Sequence, residues 1–476
     1  MREALIAGSQ MLRFAKYPQR TIKDMTAEVV DNALRDAGLA REDVQAAWFA
    51  NSNWGRSDGQ LCIRGQVALR AAGIDTIPIV NVENACAGGS TALHGAWMGV
   101  AAGQYEVALA VGAEKIYSPN RLFMFAGFLG GLDVADLPAS LARYLEAERE
   151  LGIPAAFPAD WTVAHPGNRR PVSPPAQSWR DVLALRTATR AANDALQLAQ
   201  DLVTIGHTFG WERLWSMRKA FASRGAGDQS PFMDVYSLNA RRHMKRYGTT
   251  IEQLAAVAAK NHEHSVHNPL AQYRFPLTVQ EVLADRPVSF PLTRAMCAPI
   301  GDGAAAVVVC SRNVWRRRRS GSRPVRIRAS VLGSGKARGD GEPDISARLA
   351  AAAYERAGVG PEAIDVAEVH DATAFGELHQ CETLGFCREG EGGAYAASGA
   401  TRIGGARPVN PSGGLECRGH PIAASGLAQV HELVCQLRGE AGARQVEGAT
   451  IGMAVNGGGA LGVEEAAMAI HIIDRM

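Results

Sequence analysis

A cysteine placed between the end of an apolar strand and a helix of small residues can attack a carbonyl, and Cys86 holds such a place. It stands in Asn84-Ala85-Cys86-Ala87-Gly88-Gly89-Ser90, after the short run Pro78 to Glu83 and before a helix expected through Ala101. The free N–H groups and partial positive charge of a helix start stabilise a thiolate, so the sequence predicts a lowered thiol pKa. The small neighbours let a carbonyl carbon reach the sulfur. Three further motifs could serve that sulfur. Gly419-His420-Pro421 follows Asn410-Pro411-Ser412-Gly413-Gly414 and precedes Ser425-Gly426. A histidine held by Gly and Pro at a helix start is well placed as a general base. Val369-His370-Asp371-Ala372 ends a second predicted strand, and Asn456-Gly457-Gly458-Gly459 ends a third. The glycines leave backbone N–H groups free to receive an oxyanion. All four motifs fall at the carboxyl ends of predicted strands or just beyond them, where α/β sheets place their chemistry.

The elements that must position these groups are duplicated. MTAEVVDNALRDAGLAREDVQAAWFANSN from Met25 and ISARLAAAAYERAGVGPEAIDVAEVHDAT from Ile345 each read as an amphipathic helix, a glycine stop, an acidic turn and an apolar strand. Setting Gly38 against Gly358 gives a gapless offset of 320 residues (358 less 38). Alternating strands and helices predict largely parallel sheets, one per half, sharing a helical layer. The expected fold is α/β: duplicated βαβ halves in a five-layer α-β-α-β-α sandwich with an inserted lobe. The expected divisions are 1–116 (first part of the N-terminal half), 117–230 (the lobe), 231–315 (second part of that half) and 316–476 (the C-terminal half). The lobe carries Trp161, Trp179, Trp211 and Trp215, Pro171, Pro174 and Pro175, and a predicted helix near Arg180 to Leu202. It is too long for an ordinary loop, and is expected to cover the site or build a subunit interface.

Composition narrows the class. The 476 residues are 47% hydrophobic and 21% charged, with 50 Lys and Arg against 48 Asp and Glu, a formal net charge of +2. That balance argues against a dedicated nucleic-acid binder. Eight cysteines without a Cys-x-x-Cys pair give neither a zinc ribbon nor a disulfide framework, which fits a reducing, cytoplasmic setting. No signal peptide is expected, and no apolar run reaches the ~18 residues of a membrane span. Arg316 to Arg319 read as a solvated basic connector. His262, His264 and His267 read as helix-end polar packing, and no metal site is predicted. Gly333-Ser334-Gly335-Lys336 lacks phosphate-loop spacing. Cys381 and Cys387 read as packing residues. Glu83 is either buried near Cys86 or a strand-edge carboxylate.

In combination the motifs resemble the thiolase superfamily, and within it the sterol-carrier-protein-type thiolases and thiolase-like acyltransferases. NVENACAGGSTAL is similar to that group's nucleophile motif, EVHDATAFGELHQCETLGFCREG to its HDCF-x-x-x-EL segment, and NPSGGLECRGHPIAASG to its NPSGG…GHPxGAxG segment. The resemblance covers the chain outside roughly Tyr117 to Pro231. It implies that Cys86 takes an acyl group from an acyl-CoA, and that His420 activates Cys86 and helps form one oxyanion hole. It implies that His370 positions a water or donates to the same oxyanion, beside Asp371. The N–H groups of Cys86 and of the glycines after Asn456, Gly458 foremost, would form a second hole. A coenzyme A thioester enters as substrate, with no tightly bound cofactor. The resemblance also implies a homodimer or larger assembly, with the strand beside the nucleophile at the interface, and leaves room for a small OB-fold partner.

The chain departs from the family where a second cysteine removes the α-proton of the condensing unit, for Ala372 and Asn456 occupy the two places it can come from. Three outcomes remain open. The acceptor needs no strong base; or another residue (Asp371, Thr373, Glu377, Cys417 or a lobe residue) supplies it; or the chain is a thiolase-like aldolase that works beside an OB-fold subunit. A non-catalytic scaffold is the reading from a different class.

Overall fold

The computed structural model describes every residue except 1, 119–123, 126, 134, 159, 162–229, 318–322, 340 and 463. Helix α1 (Ile22–Ala37) starts where the Thr21 hydroxyl accepts the Asp24 N–H and Asp24 answers the Thr21 N–H. It stops at Gly38, with φ 64°. The corresponding helix of the second half, Ile345–Ala357, starts at Asp344, whose side chain accepts the Ala347 N–H, and stops at Gly358 with the same φ of 64°. The turns Arg41–Asp43 and Pro361–Ala363 keep the offset of 320, as do the strands starting at Ala46 and Val366. The repeat in the sequence is therefore a repeat in space.

The strands are β1 (Ala4–Met11), β2 (Ala46–Ala50), β3 (Ile79–Val82), β4 (Val107–Glu114), β5 (Pro287–Ser289), β6 (Leu292–Thr293), β7 (Gly303–Ser311), β8 (Val325–Ser334), β9 (Val366–Glu368), β10 (Ile451–Gly458) and β11 (Ala467–Arg475). The N-terminal half contributes β3-β2-β4-β7-β1 and the C-terminal half β8-β11-β10-β9. A parallel bridge from Ala367 to Val409 gives β9 the neighbour that β3 gives β2, so the second order mirrors the first. Two expectations are corrected. The half-sheets are not separate: Leu5 with Arg326 and Ile6 with Val325 join them edge to edge into nine strands. Nor are they largely parallel. Among the described strands of this sheet, β2–β3, β2–β4 and β9–β10 pair in parallel, while β4–β7, β1–β7, β1–β8, β10–β11 and β8–β11 are antiparallel. A hairpin leads from β10 to β11, and so short a connection permits only antiparallel pairing.

The strands are buried on both faces, and their alternate residues enter different cores. Ala4 and Ile6 of β1 meet α2 (Gly88–Ala101) and the helix Ser425–Arg438 in a central core, while Leu5 and Ala7 face α1. Met453 and Val455 of β10 face the helix Ile345–Ala357, and Ala454 faces the centre. This gives the five layers, with the two central helices shared. Between β4 and β7 the chain builds the lobe. Its helices α3 (Leu137–Leu151), α4 (Pro231–Tyr247) and α5 (Ile251–Val266) accompany a fourth apolar core of Trp161, Leu254, Ala258 and Leu292. That core also takes in Ala374 and Phe375, so the segment after 230 packs with the lobe as well as with the C-terminal half. The predicted helix near Arg180 to Leu202, with Trp179, Trp211 and Trp215, lies outside the described residues, as do Arg318 and Arg319. No helix of the described residues is long and apolar enough to cross a membrane.

Candidate active site

Four helices of the C-terminal half frame the site: α6 (Ile345–Ala357), α7 (Ala374–Thr383), α8 (Gly414–Arg418) and α9 (Ser425–Arg438). The central helices α2 and α9 bring the site together because their first turns touch. A Cβ on Gly89 would lie 2.6 Å from the Ala423 carbonyl oxygen, and one on Gly426 would collide with Ser90 Oγ and Asn456 Oδ1. The missing side chains let the two helix starts meet, with Cys86 at the head of one and His420 at the head of the other. Gly458 works the same way. A Cβ there would clash with Asn84 O and Ala87 N and lie 2.8 Å from Cys86 N, so only glycine lets the end of β10 seat against the nucleophile turn.

Cys86, His370 and His420 converge, their candidate donor atoms all lying within 4.8 Å of one another. The two imidazoles meet edge to face, with centroids 5.2 Å apart. Each ring has its Nδ1 committed. His420 Nδ1 lies 2.7 Å from Ser425 Oγ, which donates its own proton to the Pro421 carbonyl at 2.9 Å. The hydroxyl must then accept from His420 Nδ1–H, and Nε2 is left with a free lone pair. His370 Nδ1 accepts from Asn456 Nδ2 at 3.1 Å, so the proton of this ring sits on Nε2. One imidazole is thus set to accept a proton and the other to donate a hydrogen bond. Gln429 holds the strand ends that carry His370 and Asn456, donating to Val369 O at 2.8 Å and Val455 O at 3.0 Å. Gln380 accepts the His370 N–H at 2.9 Å.

The electrostatics differ from the sequence expectation. Burial, then Glu114, then Glu83, push the Cys86 thiol up to about 12, against the opposing N–H groups of Gly459 and Cys86 itself. Burial lowers His370 to about 4. Burial, His370 and Arg418 hold His420 well below the ordinary histidine range. The resting pair is a thiol beside a neutral imidazole, and not the preformed thiolate predicted from the helix start. The thiol proton must therefore move during attack. Gly459, beside the expected Gly458, is the glycine whose N–H points at the sulfur.

The other candidates are placed elsewhere or otherwise engaged. Asp371 does not face an oxyanion position. Its carboxylate caps α8, accepting from Leu415 N–H at 2.7 Å and Glu416 N–H at 3.3 Å, and so fixes the turn that leads to His420. Glu377 is buried in an ion pair with Lys260 and accepts from Asn410 Nδ2 at 2.7 Å. Cys417 is fully buried in α8, and burial, Glu416 and Asp371 raise its thiol well above the ordinary range. Neither Glu377 nor Cys417 is free to serve as a replacement base. Thr373 leads into α7 with its hydroxyl buried. Glu83 accepts from Ala85 N–H and Ser52 Oγ, each at 2.7 Å, and so pins Ala85 at φ 46° immediately before the nucleophile. His262 stacks on Tyr273, and His264 bonds to Asn410 O at 3.0 Å and to Ile403 N–H at 3.1 Å. The metal-ligand geometry found among the described residues is that of Cys86, His370 and His420 themselves, a soft donor set.

Sequence reasoning missed Ser425, Gln429 and Glu114. Ser425 stood in the quoted Ser-Gly pair, but its bond to His420 depends on the first turn of α9. Glu114 is a fully buried carboxylate at the end of β4, held by Asn51 Nδ2 and the N–H groups of Ser52 and Asn53. Burial raises it to about 7. A charged residue closing an apolar strand was the available signal.

Residues 5–122 match the family described as "Thiolase, N-terminal domain", and residues 343–471 match "Thiolase C-terminal domain-like". The acetyl-CoA acetyltransferase of Methanothermobacter thermautotrophicus is 34% identical, with 100% of both chains covered. Sterol carrier protein 2 of Oryctolagus cuniculus is 32% identical over 95% of this chain and 69% of its own. The benzoylsuccinyl-CoA thiolase subunit BbsB of Thauera aromatica is 29% identical over 87% of this chain and 84% of its own. A solved structure titled "Ltp2-ChsH2(DUF35) aldolase" shares the fold, with a TM-score of 0.67 at 22% identity, covering 99% of this chain and 98% of that one. One matched domain falls in each half of the duplication, and the full-length relative leaves no part of the chain outside the match: the chain belongs to the thiolase family.

Proposed function

We propose that the chain is an acyl-CoA-dependent acyltransferase in which Cys86 carries the acyl group as a thioester and passes it to an acceptor, with carbon–carbon bond formation. The acyltransferase class rests on the family domains and on full-length relatives of that activity. The observation that carries the Cys86 assignment is the convergence of one thiol and two neutral imidazoles within 4.8 Å.

The acyl-CoA carbonyl enters above Cys86. His420 Nε2 takes the thiol proton as sulfur attacks carbon, which is why a neutral His420 suits the step. His370 Nε2–H donates to the developing oxyanion, and the N–H groups of Cys86 and Gly459 add to the same field. The carbonyl re-forms, the bond to coenzyme A sulfur breaks, and His420 returns its proton to the leaving thiolate. The nucleophile ends as a thioester, and coenzyme A takes part as substrate only.

The exposed edge strand β3, with Val80 42% exposed, supports a homodimer paired through that edge. Incubation with isotopically labelled acetyl-CoA, followed by peptide mass spectrometry, tests the acyl-enzyme. Label is expected on the peptide containing Cys86 and is absent from Cys86→Ser. Wild-type protein that takes up no label on Cys86 would overturn the proposal.

A further inference from the structure

A thiol and two imidazoles that already face one another need little change to hold a cation. Cys86 and His420 are partly exposed, His370 is buried, and their candidate ligand atoms all lie within 4.8 Å of one another. Each imidazole has its Nδ1 engaged elsewhere, so Nε2 is the nitrogen left to face the sulfur. Zinc bound by one sulfur at about 2.3 Å and two ring nitrogens at about 2.0–2.1 Å holds neighbouring ligand atoms about 3.4–3.6 Å apart. The three side chains need only draw together through their own torsions. One sulfur and two imidazoles suit zinc, copper(I) or cobalt(II), and not the oxygen-seeking magnesium and calcium.

The shell behind the donors separates this arrangement from a chance meeting of a thiol and two rings. A histidine bound through Nε2 needs an acceptor for its Nδ1–H. His420 has one in Ser425 Oγ at 2.7 Å. His370 rests in the opposite tautomer, its Nδ1 accepting from Asn456 Nδ2 at 3.1 Å. The same asparagine holds the remedy. Asn456 is fully buried, and its Oδ1 has no hydrogen-bond partner among the described residues; nor has Ser90 Oγ, which is fully buried as well. Asn456 Oδ1 and Ser90 Oγ lie 2.4 and 2.2 Å from the point that a Cβ on Gly426 would occupy, so they flank one small space. A half-turn of the Asn456 amide carries Oδ1 to His370 Nδ1 and Nδ2 to Ser90 Oγ. His370 then moves its proton from Nε2 to Nδ1, and both orphaned oxygens gain a partner.

We propose that Cys86, His370 and His420 form a reversible, inhibitory site for zinc or a like cation, and that Asn456 is the positioning residue that turns to hold His370 in its metal-binding tautomer. The ion takes the Cys86 sulfur and both Nε2 lone pairs, and water takes a fourth position. The thiol proton leaves to solvent, and the His370 proton only changes nitrogen. With the sulfur and His420 Nε2 both occupied, Cys86 has neither a free electron pair for attack nor a base, and acyl transfer stops. The site stands apart from the acyl-enzyme reading, because it needs the three donors and not the thioester.

Full-length protein is titrated with Co²⁺ as a spectroscopic probe, then with Zn²⁺ in competition. Wild type is expected to show a thiolate-to-cobalt charge-transfer band and the intense visible bands of four-coordinate cobalt. Zn²⁺ should bleach both, and an excess of Mg²⁺ should not. Cys86→Ser should lose the charge-transfer band. Asn456→Leu should bind about 10- to 100-fold more weakly, and Asn456→Asp, whose carboxylate accepts the His370 Nδ1–H outright, should bind at least as tightly as wild type. In wild type, Zn²⁺ should protect the Cys86 peptide from iodoacetamide while the exposed Cys62 still reacts, which tests the site without any substitution. Zn²⁺ should also block uptake of acetyl label on Cys86, and a chelator should restore it. No charge-transfer band in wild type, or an unchanged one in Cys86→Ser, overturns the site. Wild-type affinity in Asn456→Leu overturns the part given to Asn456, and undiminished labelling with the metal bound overturns the inhibition. A wild type that shows the band but never takes up label leaves the metal site standing and sinks the acyl-enzyme reading instead.

Discussion

The nucleophile turn of the N-terminal half and the histidine turn of the C-terminal half occupy matching places at the heads of α2 and α9, yet they are built differently. The first is half open. Glu83 is exposed, and Asn84, Ala85 and Cys86 are only partly covered. Its side-chain support is sparse and carries no buried ion pair among the described residues: Glu83 to Ala85 and Ser52, and Asn84 Nδ2 to Thr91 Oγ1 at 3.0 Å. The second is sealed from Val409 to Gly419 and tied to distant chain. Glu368 accepts from Ser412 N–H at 3.0 Å and from Arg418 at 2.7 Å, Asp371 caps α8, and Glu377 joins Asn410 to Lys260. A nucleophile must be reached by substrate, so its turn stays accessible and stores backbone strain at Ala85. An imidazole that must stay neutral and oriented profits from a dry, cross-braced setting.

That contrast is broken most forcefully from the sealed side. Arg418 and Glu368 are both fully buried, and Arg418→Met strands the carboxylate without its cation. A buried charge left unpaired in this way costs about 3–5 kcal/mol. The variant should unfold at clearly lower urea concentration than wild type, whereas an equally drastic change at the exposed Glu83 should leave the midpoint in place. A loss below about 1 kcal/mol for Arg418→Met would mean that the sealed network braces nothing, because that is the scale of an exposed pair.

Much of the site was legible from residue type and position. Cys86, His370, His420 and the glycines after Asn456 all sit at strand ends, and strand ends can be read from apolar runs and glycine stops. The gapless repeat made the five layers legible as well. Sheet direction was not, because β7 returns beside β4 only after the whole lobe, and the glycines after Asn456 read as a site motif and not as the start of a hairpin. The state of the thiol was misread for a different reason. A helix start lowers a thiol pKa locally, but Glu114 lies 28 residues along the chain from Cys86 (114 less 86), and only the fold brings its charge near. Likewise Asp371 and Glu377 looked available beside His370, and it took the opposite partners, the α8 N–H groups and Lys260, to show them committed.

A milder test sharpens the comparison at the join of the two turns. Ser425→Ala removes the acceptor of His420 Nδ1–H and frees the ring to turn or to change tautomer. Cys86 acylation by acetyl-CoA should slow about tenfold, at a stability cost of about 1 kcal/mol for one lost hydrogen bond. Pre-steady-state release of coenzyme A measures the first, and the urea midpoint the second. Loss of stability without loss of rate would make Ser425 a packing residue only.

The smallest expected change comes from the open side. A thiol raised to about 12 is protonated through neutral pH and ionises only as pH climbs. Alkylation of Cys86 by iodoacetamide should therefore rise about tenfold per pH unit across the neutral and mildly basic range, since the thiolate is the reactive form. Glu83 contributes negative charge that opposes ionisation, and Glu83→Gln keeps an oxygen able to accept the Ala85 N–H. The variant should alkylate about two- to fivefold faster at any pH in that range, on a line parallel to wild type. A flat, fast limb reaching down to mildly acidic pH in wild type would mean a preformed thiolate–imidazolium pair. The open turn would then be the charged partner, and the sealed turn would hold a cation and not a neutral base.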